Sequence, residues 1–344
     1  MKVGLLGLLD DYDRFRGYGI QRYMHEMYER MSKNKFGIII EKAGYKKSLP
    51  IIGSGTSFML GNLFVDFSGY DIIHNMDQKP MLPLRKGKSI MLTTVHDFQP
   101  MISPEYNDTT PKEMAWQILI NYGMSVSLNS DHLIARSTLT KSDAVKLGYD
   151  PKNITIISDG VDERYFSKIK KPRRKDFVVG YLGAFRKRKN IGFAINSFRH
   201  INKKNITFEI YGKEEFEYKK VISASMHDSR IKYMGFASEN KIVQIYDSFD
   251  AFVFPSLYEG FGIPIIEAQA RGLPVIIYKH GKIPKEVRKY CLEAEDQAHM
   301  AQIIESLKEN GYNERIRKKA TEYARTFTWS REAKETLSLY KKLA

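Results

Sequence analysis

The chain is poor in cysteine: Cys291 is alone among 344 residues. That excludes an intramolecular disulfide and a cysteine-rich metal site, and it fits a reducing compartment. It has no basic-then-apolar leader, since Lys2 runs straight into the strand-like VGLLGLL, so the expected location is cytoplasmic. Long apolar runs are also scarce. The longest uncharged one, residues 49–65, is broken by Gly53, Gly55 and Gly61 with Ser and Thr between them, and reads as loop and short helix instead of a membrane span. The second half lacks an Asp-x-Asp pair to seat a metal. No third ligand stands near His96-Asp97 at a zinc spacing. The first half has almost no net charge: residues 1–167 carry 20 Lys+Arg against 19 Asp+Glu, whereas residues 168–344 carry 35 against 21. The excess of +15 is therefore concentrated in the second half as +14. A polyanionic ligand, nucleic acid, an anionic membrane surface and a plain lysine-rich solvated face are all compatible with that asymmetry.

What remains is globular in composition, 42% hydrophobic and 28% charged, and long enough for two domains. The most informative stretch is residues 251–278, AFVFPSLYEGFGIPIIEAQARGLPVIIY. It reads as strand, glycine loop, helix and strand. Pro264 suits the first helical turn and Gly272 the position just past the last one. Gly260 and Gly262 leave the loop without side chains, so a ligand can approach the backbone. The helix start then offers that ligand free N–H groups and the positive end of its dipole. Glu259 and Glu267 flank this phosphate seat. Taken alone, Glu259 is equally a solvated loop carboxylate, and Glu267 with Arg271 an ordinary i,i+4 ion pair.

Earlier in the chain, residues 2–9 read as a strand and Gly17-Tyr18-Gly19 as a glycine loop. A helix follows with Ile20, Tyr23, Met24, Met27 and Met31 on one side. Strands are expected at 38–40, 71–74, 90–95, 132–135 and 154–157. Ser137 is placed to cap a helix over 139–147. His74 and His96-Asp97 end two of these strands, where side chains of α/β sheets meet ligands; His96-Asp97 is equally suited to capping a loop. Around Pro172 the residues Lys168, Lys170, Lys171, Arg173, Arg174 and Lys175 crowd together, which reads as a solvated linker and places a domain boundary.

The rhythm restarts with a strand at 177–182. Gly183-Ala184-Phe185 leads into four consecutive cations, Arg186 to Lys189, and then a helix carrying Ile191, Ala194, Ile195 and Phe198. Four cations between a strand end and a helix start suggest a bound anion, and two of them suffice to hold it. Strands at 207–211 and 232–234 and helices at 239–248 and 297–310 follow. Residues 328–343 are amphipathic, with Trp329, Ala333, Leu337 and Tyr340 in helical register. The pattern is α/β, two Rossmann-like halves with a cleft between them.

These residues resemble the family-4 retaining glycosyltransferases, which have the GT-B fold of two facing Rossmann-like domains. The resemblance covers most of the chain. Its most specific element is FPSLYEGFGIPIIEAQARGLPVI, matching that family's pair of glutamates with seven residues between them at Glu259 and Glu267. Supporting matches are residues 17–23, Val95-His96-Asp97, Gly160-Val161-Asp162, Gly183 with Arg188-Lys189-Asn190, and Gly235 with the helix before Asp250. The resemblance implies an acceptor-side domain over 1–167, a nucleotide-sugar domain over 168–327 and a closing helix, 328–344, packing back on the first domain. It implies retention of anomeric configuration and no metal or other cofactor, with a nucleotide diphosphate-sugar as donor substrate. Glu259 would meet the transferred hexose-type sugar, Glu267 the ribose, and Arg188 and Lys189 the diphosphate. The Gly262 and Ile263 amides would bind the distal phosphate. His96 would face the sugar, and Gly17 and Gly19 would line the cleft near phosphate and acceptor. Glycan, lipid-linked and protein-linked acceptors are the implied partners, chosen by loops 12–18, 45–64 and 99–106. Peripheral membrane contact through residues 49–65 is left open, and no nucleic acid is expected. Two departures stand out: Ala184 follows Gly183 where some members have Arg, which makes Arg186 a candidate substitute, and Ser158-Asp159 precedes Gly160 where many have Asn.

Two rivals predict different behaviour. A GT-B sugar-nucleotide epimerase would convert the donor alone. A nucleic-acid-binding protein using the basic half would bind duplexes with steep salt dependence.

Overall fold

Successive residues of the strand Phe177–Leu182 face opposite ways. Val178 enters one apolar cluster and Val179 another, so this strand is covered on both faces, as parallel strands are. The same alternation recurs at Phe252 and Val253 and at Val275 and Ile276. The computed structural model describes residues 1–7, 19–44, 61–78, 85–107, 111–172, 174–213 and 217–344, the side chains of 111–116 and 119 excepted. Gly17 and most of residues 49–65 lie outside the described residues. The chain divides into two compact units: one holds the sequence up to Gly160 together with Thr328–Ala344, the other Val161–Phe327, with a short segment from Glu105.

The sheet of the first unit is built from β1 (Lys2–Leu6), β2 (Ile39–Ala43), β3 (Ile72–Asn75), β4 (Ile90–Val95), β5 (His132–Ala135) and β6 (Ile154–Ile156), in the order β2-β1-β3-β4-β5-β6. That of the second holds β7 (Phe177–Leu182), β8 (Ile206–Tyr211), β9 (Ile231–Tyr233), β10 (Ala251–Phe254), β11 (Val275–Tyr278) and β12 (Leu292–Ala294), in the order β12-β11-β10-β7-β8-β9. Every described pairing in both is parallel. The second order is the doubly wound one that reverses between β7 and β10. Ligands of such sheets bind beyond the carboxyl ends of the strands on either side of the reversal.

In the first unit the helix Trp329–Leu343 packs against the helix Gly19–Met31. The expected register holds, with Trp329, Ala333, Leu337 and Tyr340 all buried. Thr328 caps this helix by accepting from the Arg331 N–H. Ser137 caps Thr138–Lys146 in the same way through the Thr140 N–H. The sequence reading missed Pro111–Ser127, Tyr218–His227, β12 and Glu314–Ala324. The last of these is ERIRKKATEYA, polar on almost every side. It lies on the helix Ile263–Ala270 through Ala320 and Ala324, buried residues too small to give a hydrophobic period. The basic stretch around Pro172 is not wholly solvated. Lys171 reaches Asp250 at 2.5 Å, Arg174 pairs with the buried Glu209, and the Lys170 N–H donates to Asp247.

Candidate active site in the second unit

The loops that follow β7 and β10 are stitched together. The Leu257 N–H donates to the Arg188 carbonyl at 2.8 Å, and Asn190 Nδ2 donates to the Pro255 carbonyl at 3.1 Å. Asn190 sits in the left-handed region at φ 53°, which Asn tolerates better than most residues. It ends the turn of Lys187–Lys189 and starts the helix Ile191–Ser197. This turn separates the four cations. Lys187 is exposed, while Arg188 and Lys189 are drawn inward.

Both inward cations meet Glu259. Lys189 Nζ is 2.6 Å from Oε1, and Arg188 donates to Oε2 at 3.3 Å and to the Tyr258 carbonyl at 3.2 Å. Lys189 also lies 5.1 Å from the Phe254 ring centroid. The Glu259 backbone is fixed too, its N–H donating to the Lys282 carbonyl while the Lys282 N–H donates to Leu257. Burial by itself would raise the pKa of Glu259, but the Lys189 and Arg188 charges outweigh it and hold the carboxyl below its ordinary value. Glu259 is thus an ionised, buried carboxylate between two cations.

Three residues on, Gly262 takes φ 104° and serves as N-cap of the helix Ile263–Ala270 without any side-chain cap, with Pro264 in the first turn. Pro264 has no N–H and the Ile265 N–H donates to the Gly262 carbonyl, so what this helix start can offer a ligand is the Gly262 and Ile263 amides. Glu267 is buried and accepts from the Tyr246 hydroxyl at 2.9 Å. Arg271 does not form the helix ion pair that its spacing from Glu267 allows. It turns instead to Asp247 at 2.7 and 2.9 Å and to the Tyr165 and Ser167 carbonyls. Gly272 ends the segment at φ 69°. Glu259, Arg188, Lys189, Gly262, Ile263 and Glu267 thus all belong to one unit, and the loops that carry the first five lie at its sheet reversal.

His96 and Gly19 belong to the first unit. Gly19 is exposed and opens the helix Gly19–Met31. His96 follows β4, and burial pushes its pKa below the ordinary value. Asp97 accepts from the Gln99 N–H at 3.1 Å, an Asx turn just ahead of the short helix Gln99–Ile102, whose N-cap is Phe98. Two residues escaped the sequence reading: Tyr246 orients Glu267 and Gln78 brackets His96. Asn190 was read only as part of the Arg188-Lys189-Asn190 match, and the structure adds that it fastens the cation loop. Among the described residues, no group of three His, Cys, Asp or Glu could hold a metal ion, and no helix is long and apolar enough to cross a membrane.

Two parallel doubly wound sheets, one of them with cations and a helix start at its reversal, are the arrangement of the GT-B fold. Residues 36–165 match the family described as Glycosyltransferase Family 4, and residues 162–327 match Glycosyl transferases group 1; this chain belongs to the family-4 glycosyltransferases. It is similar to the O-antigen chain mannosyltransferase B of Escherichia coli, 25% identical over 76% of this chain and 72% of that one. Its fold is that of sucrose-phosphate synthase from Thermosynechococcus elongatus, with TM-score 0.76, 16% identity and 100% and 99% of the two chains covered. It is also that of Anabaena HepE in complex with UDP, with TM-score 0.71, 16% identity and 99% of each chain covered.

Proposed function

We propose that this chain moves a hexose-type sugar from a nucleoside diphosphate-sugar to a hydroxyl of a glycan, lipid-linked or protein-linked acceptor, with retention and without a metal, in the cytoplasm. The observation that carries the reading is the Lys189–Glu259–Arg188 cluster beside the uncapped start of Ile263–Ala270. Cleaving the glycosyl–phosphate bond leaves its electron pair on the diphosphate and positive charge on the sugar. Lys189, Arg188 and the Gly262 and Ile263 amides stabilise the first charge as preorganised donors. Glu259 meets the sugar's hydroxyls, and its negative charge favours the positive anomeric carbon. Glu267 binds the ribose hydroxyls, held in place by Tyr246. The acceptor oxygen enters on the face from which the diphosphate leaves, and its proton passes to the departing phosphate oxygen. His96 meets the transferred sugar, and Gly17 and Gly19 lie near phosphate and acceptor.

Support for the donor class comes from the UDP named with the HepE structure. Support for a glycan acceptor comes from the O-antigen activity named for the Escherichia coli relative. The test is a thermal-shift screen of nucleoside diphosphate-sugars, followed by transfer assays with each donor that raises the midpoint. Proton NMR of the product reads the anomeric configuration, and added EDTA tests metal independence. Conversion of the donor without an acceptor would identify an epimerase instead.

A further inference from the structure

Residues 76–78 follow β3 and residues 96–97 follow β4, its neighbour in the sheet. Gln78 is 1% exposed. Its Oε1 accepts from the His96 N–H at 3.0 Å, and its Nε2 donates to the Asp97 carbonyl at 2.9 Å. One amide thus grips both ends of the His96-Asp97 dipeptide, as a partner strand would. The His96 ring is fixed as well. Its Nε2 lies 3.0 Å from the Met76 carbonyl. A carbonyl only accepts, so Nε2 carries the hydrogen, and in the neutral ring Nδ1 then holds the lone pair. Tyr23 stands edge-on to this ring with centroids 4.9 Å apart, which sets the ring plane.

We infer that Gln78 is a positioning residue for sugar transfer: with the Met76 carbonyl it holds His96 so that Nδ1 is presented as a hydrogen-bond acceptor to a hydroxyl of the transferred sugar. The inference rests on the proposed contact between His96 and the sugar, and it adds the tautomer and the group that enforces it. Glutamine is suited to the task because it both accepts and donates. Methionine fills similar space and does neither. Glutamate accepts from the His96 N–H in either protonation state, but donates to the Asp97 carbonyl only when protonated.

The experiment uses the full chain with Gln78→Met and Gln78→Glu, and follows kcat, donor KM, the thermal midpoint and the ¹⁵N shifts of the His96 imidazole. Gln78→Met is expected to lower kcat roughly tenfold to hundredfold, the scale of a misplaced contact group, with little change in donor KM. Its His96 resonances are expected to move from the Nε2–H tautomer toward a mixture. Gln78→Glu is expected to lose kcat as pH rises through the pKa of the new carboxyl, which burial raises, while the natural chain shows no such limb. A residue that merely stabilised the fold would leave that pH profile and the tautomer unmoved. A folded Gln78→Met with the natural kcat, or a Gln78→Glu profile parallel to the natural one, overturns the inference. If the natural chain transferred no sugar from any donor, the functional reading would fall by itself. The imidazole shifts would still decide the tautomer: Nε2–H in the natural chain and unchanged in Gln78→Met would overturn the positioning role.

Discussion

Lys189 Nζ stands 2.6 Å from Glu259 Oε1, and Arg188 takes the other oxygen of the same carboxylate at 3.3 Å. The pair is local to one unit and needs no ligand to form. It leaves the cations part-neutralised, and it keeps a buried carboxylate charged.

Removing Lys189 therefore has two effects. Lys189→Met deletes the charged donor proposed to meet the diphosphate, with an expected loss of about 2 kcal/mol or some tenfold to hundredfold in nucleoside diphosphate affinity. It also removes the larger of the charges that oppose burial at Glu259. The Glu259 pKa then rises, and the acid limb of the kcat/KM profile moves to higher pH. Calorimetric titration with nucleoside diphosphate checks the first effect and a pH–rate series the second. An unmoved limb would mean that Glu259 is not the titrating group. Glu259→Ala should abolish most transfer while nucleotide binding stays measurable.

Glu267 and Tyr246 form a second pair, at 2.9 Å and fully buried. Glu267→Ala removes charged hydrogen bonds to the proposed ribose position and leaves the Tyr246 hydroxyl unpartnered by it. Donor KM should rise roughly tenfold or more. Tyr246→Phe keeps the carboxylate but frees its orientation, so its KM should rise less. Steady-state kinetics with the donor varied separates the two. Equal effects would assign Tyr246 a direct contact of its own.

Much of this was legible from sequence because it depends on local pattern. Strands β4, β5, β7, β10 and β11 were placed from short apolar runs, and the glycine–proline helix start was read from Gly262 and Pro264. Glu259 and Glu267 were singled out by the family resemblance, and the structure buries both in the second unit. What was not legible depends on partners distant in the chain. Nothing near Arg271 tells that it chooses Asp247, 24 residues away, over Glu267 at i,i−4. Gln78 sits 18 residues from His96, and only the adjacency of β3 and β4 brings them together. The helix Glu314–Ala324 was hidden because its buried residues are alanines, and Tyr323, which packs beside them, is only part-buried.

Gly160 is a position of the family resemblance with a steric reason to lack a side chain. A Cβ there would overlap the Trp329 N and the Thr328 carbonyl carbon, which are backbone atoms. The Gly160 N–H also donates to Glu332 at 2.8 Å. Gly160→Ala must displace the start of the helix Trp329–Leu343, at a cost of about 1–3 kcal/mol. A lowered thermal midpoint would register this. The natural midpoint would mean that the helix start can shift freely.

The same helix carries a buried charge cluster with a pH signature. Arg136 donates to Asp159 at 2.5 and 2.9 Å and to Glu332, and its guanidinium stands 4.7 Å from the Tyr23 ring centroid. Two buried carboxylates, Asp159 and Glu332, share this one cation. Burial, with Asp159 adding to it and Arg136 opposing, pushes Glu332 up to about 8. Its folded pKa exceeds its unfolded one, so its stabilisation is complete below about 4.5 and is lost as pH rises through about 8. His74, neutral between Tyr340 and Thr94 and pushed down to about 3 by burial, works in the opposite sense, losing stabilisation as pH falls below about 6.5. The two slopes oppose each other between about 4.5 and 6.5, and above that only the Glu332 slope remains. Unfolding free energy should fall between pH 7 and 8 by at most about 1.4 kcal/mol per unit. Urea denaturation across that window measures it, and Glu332→Gln, which keeps the shape without the proton, should flatten it. A slope that persisted in Glu332→Gln would assign the titration to another group.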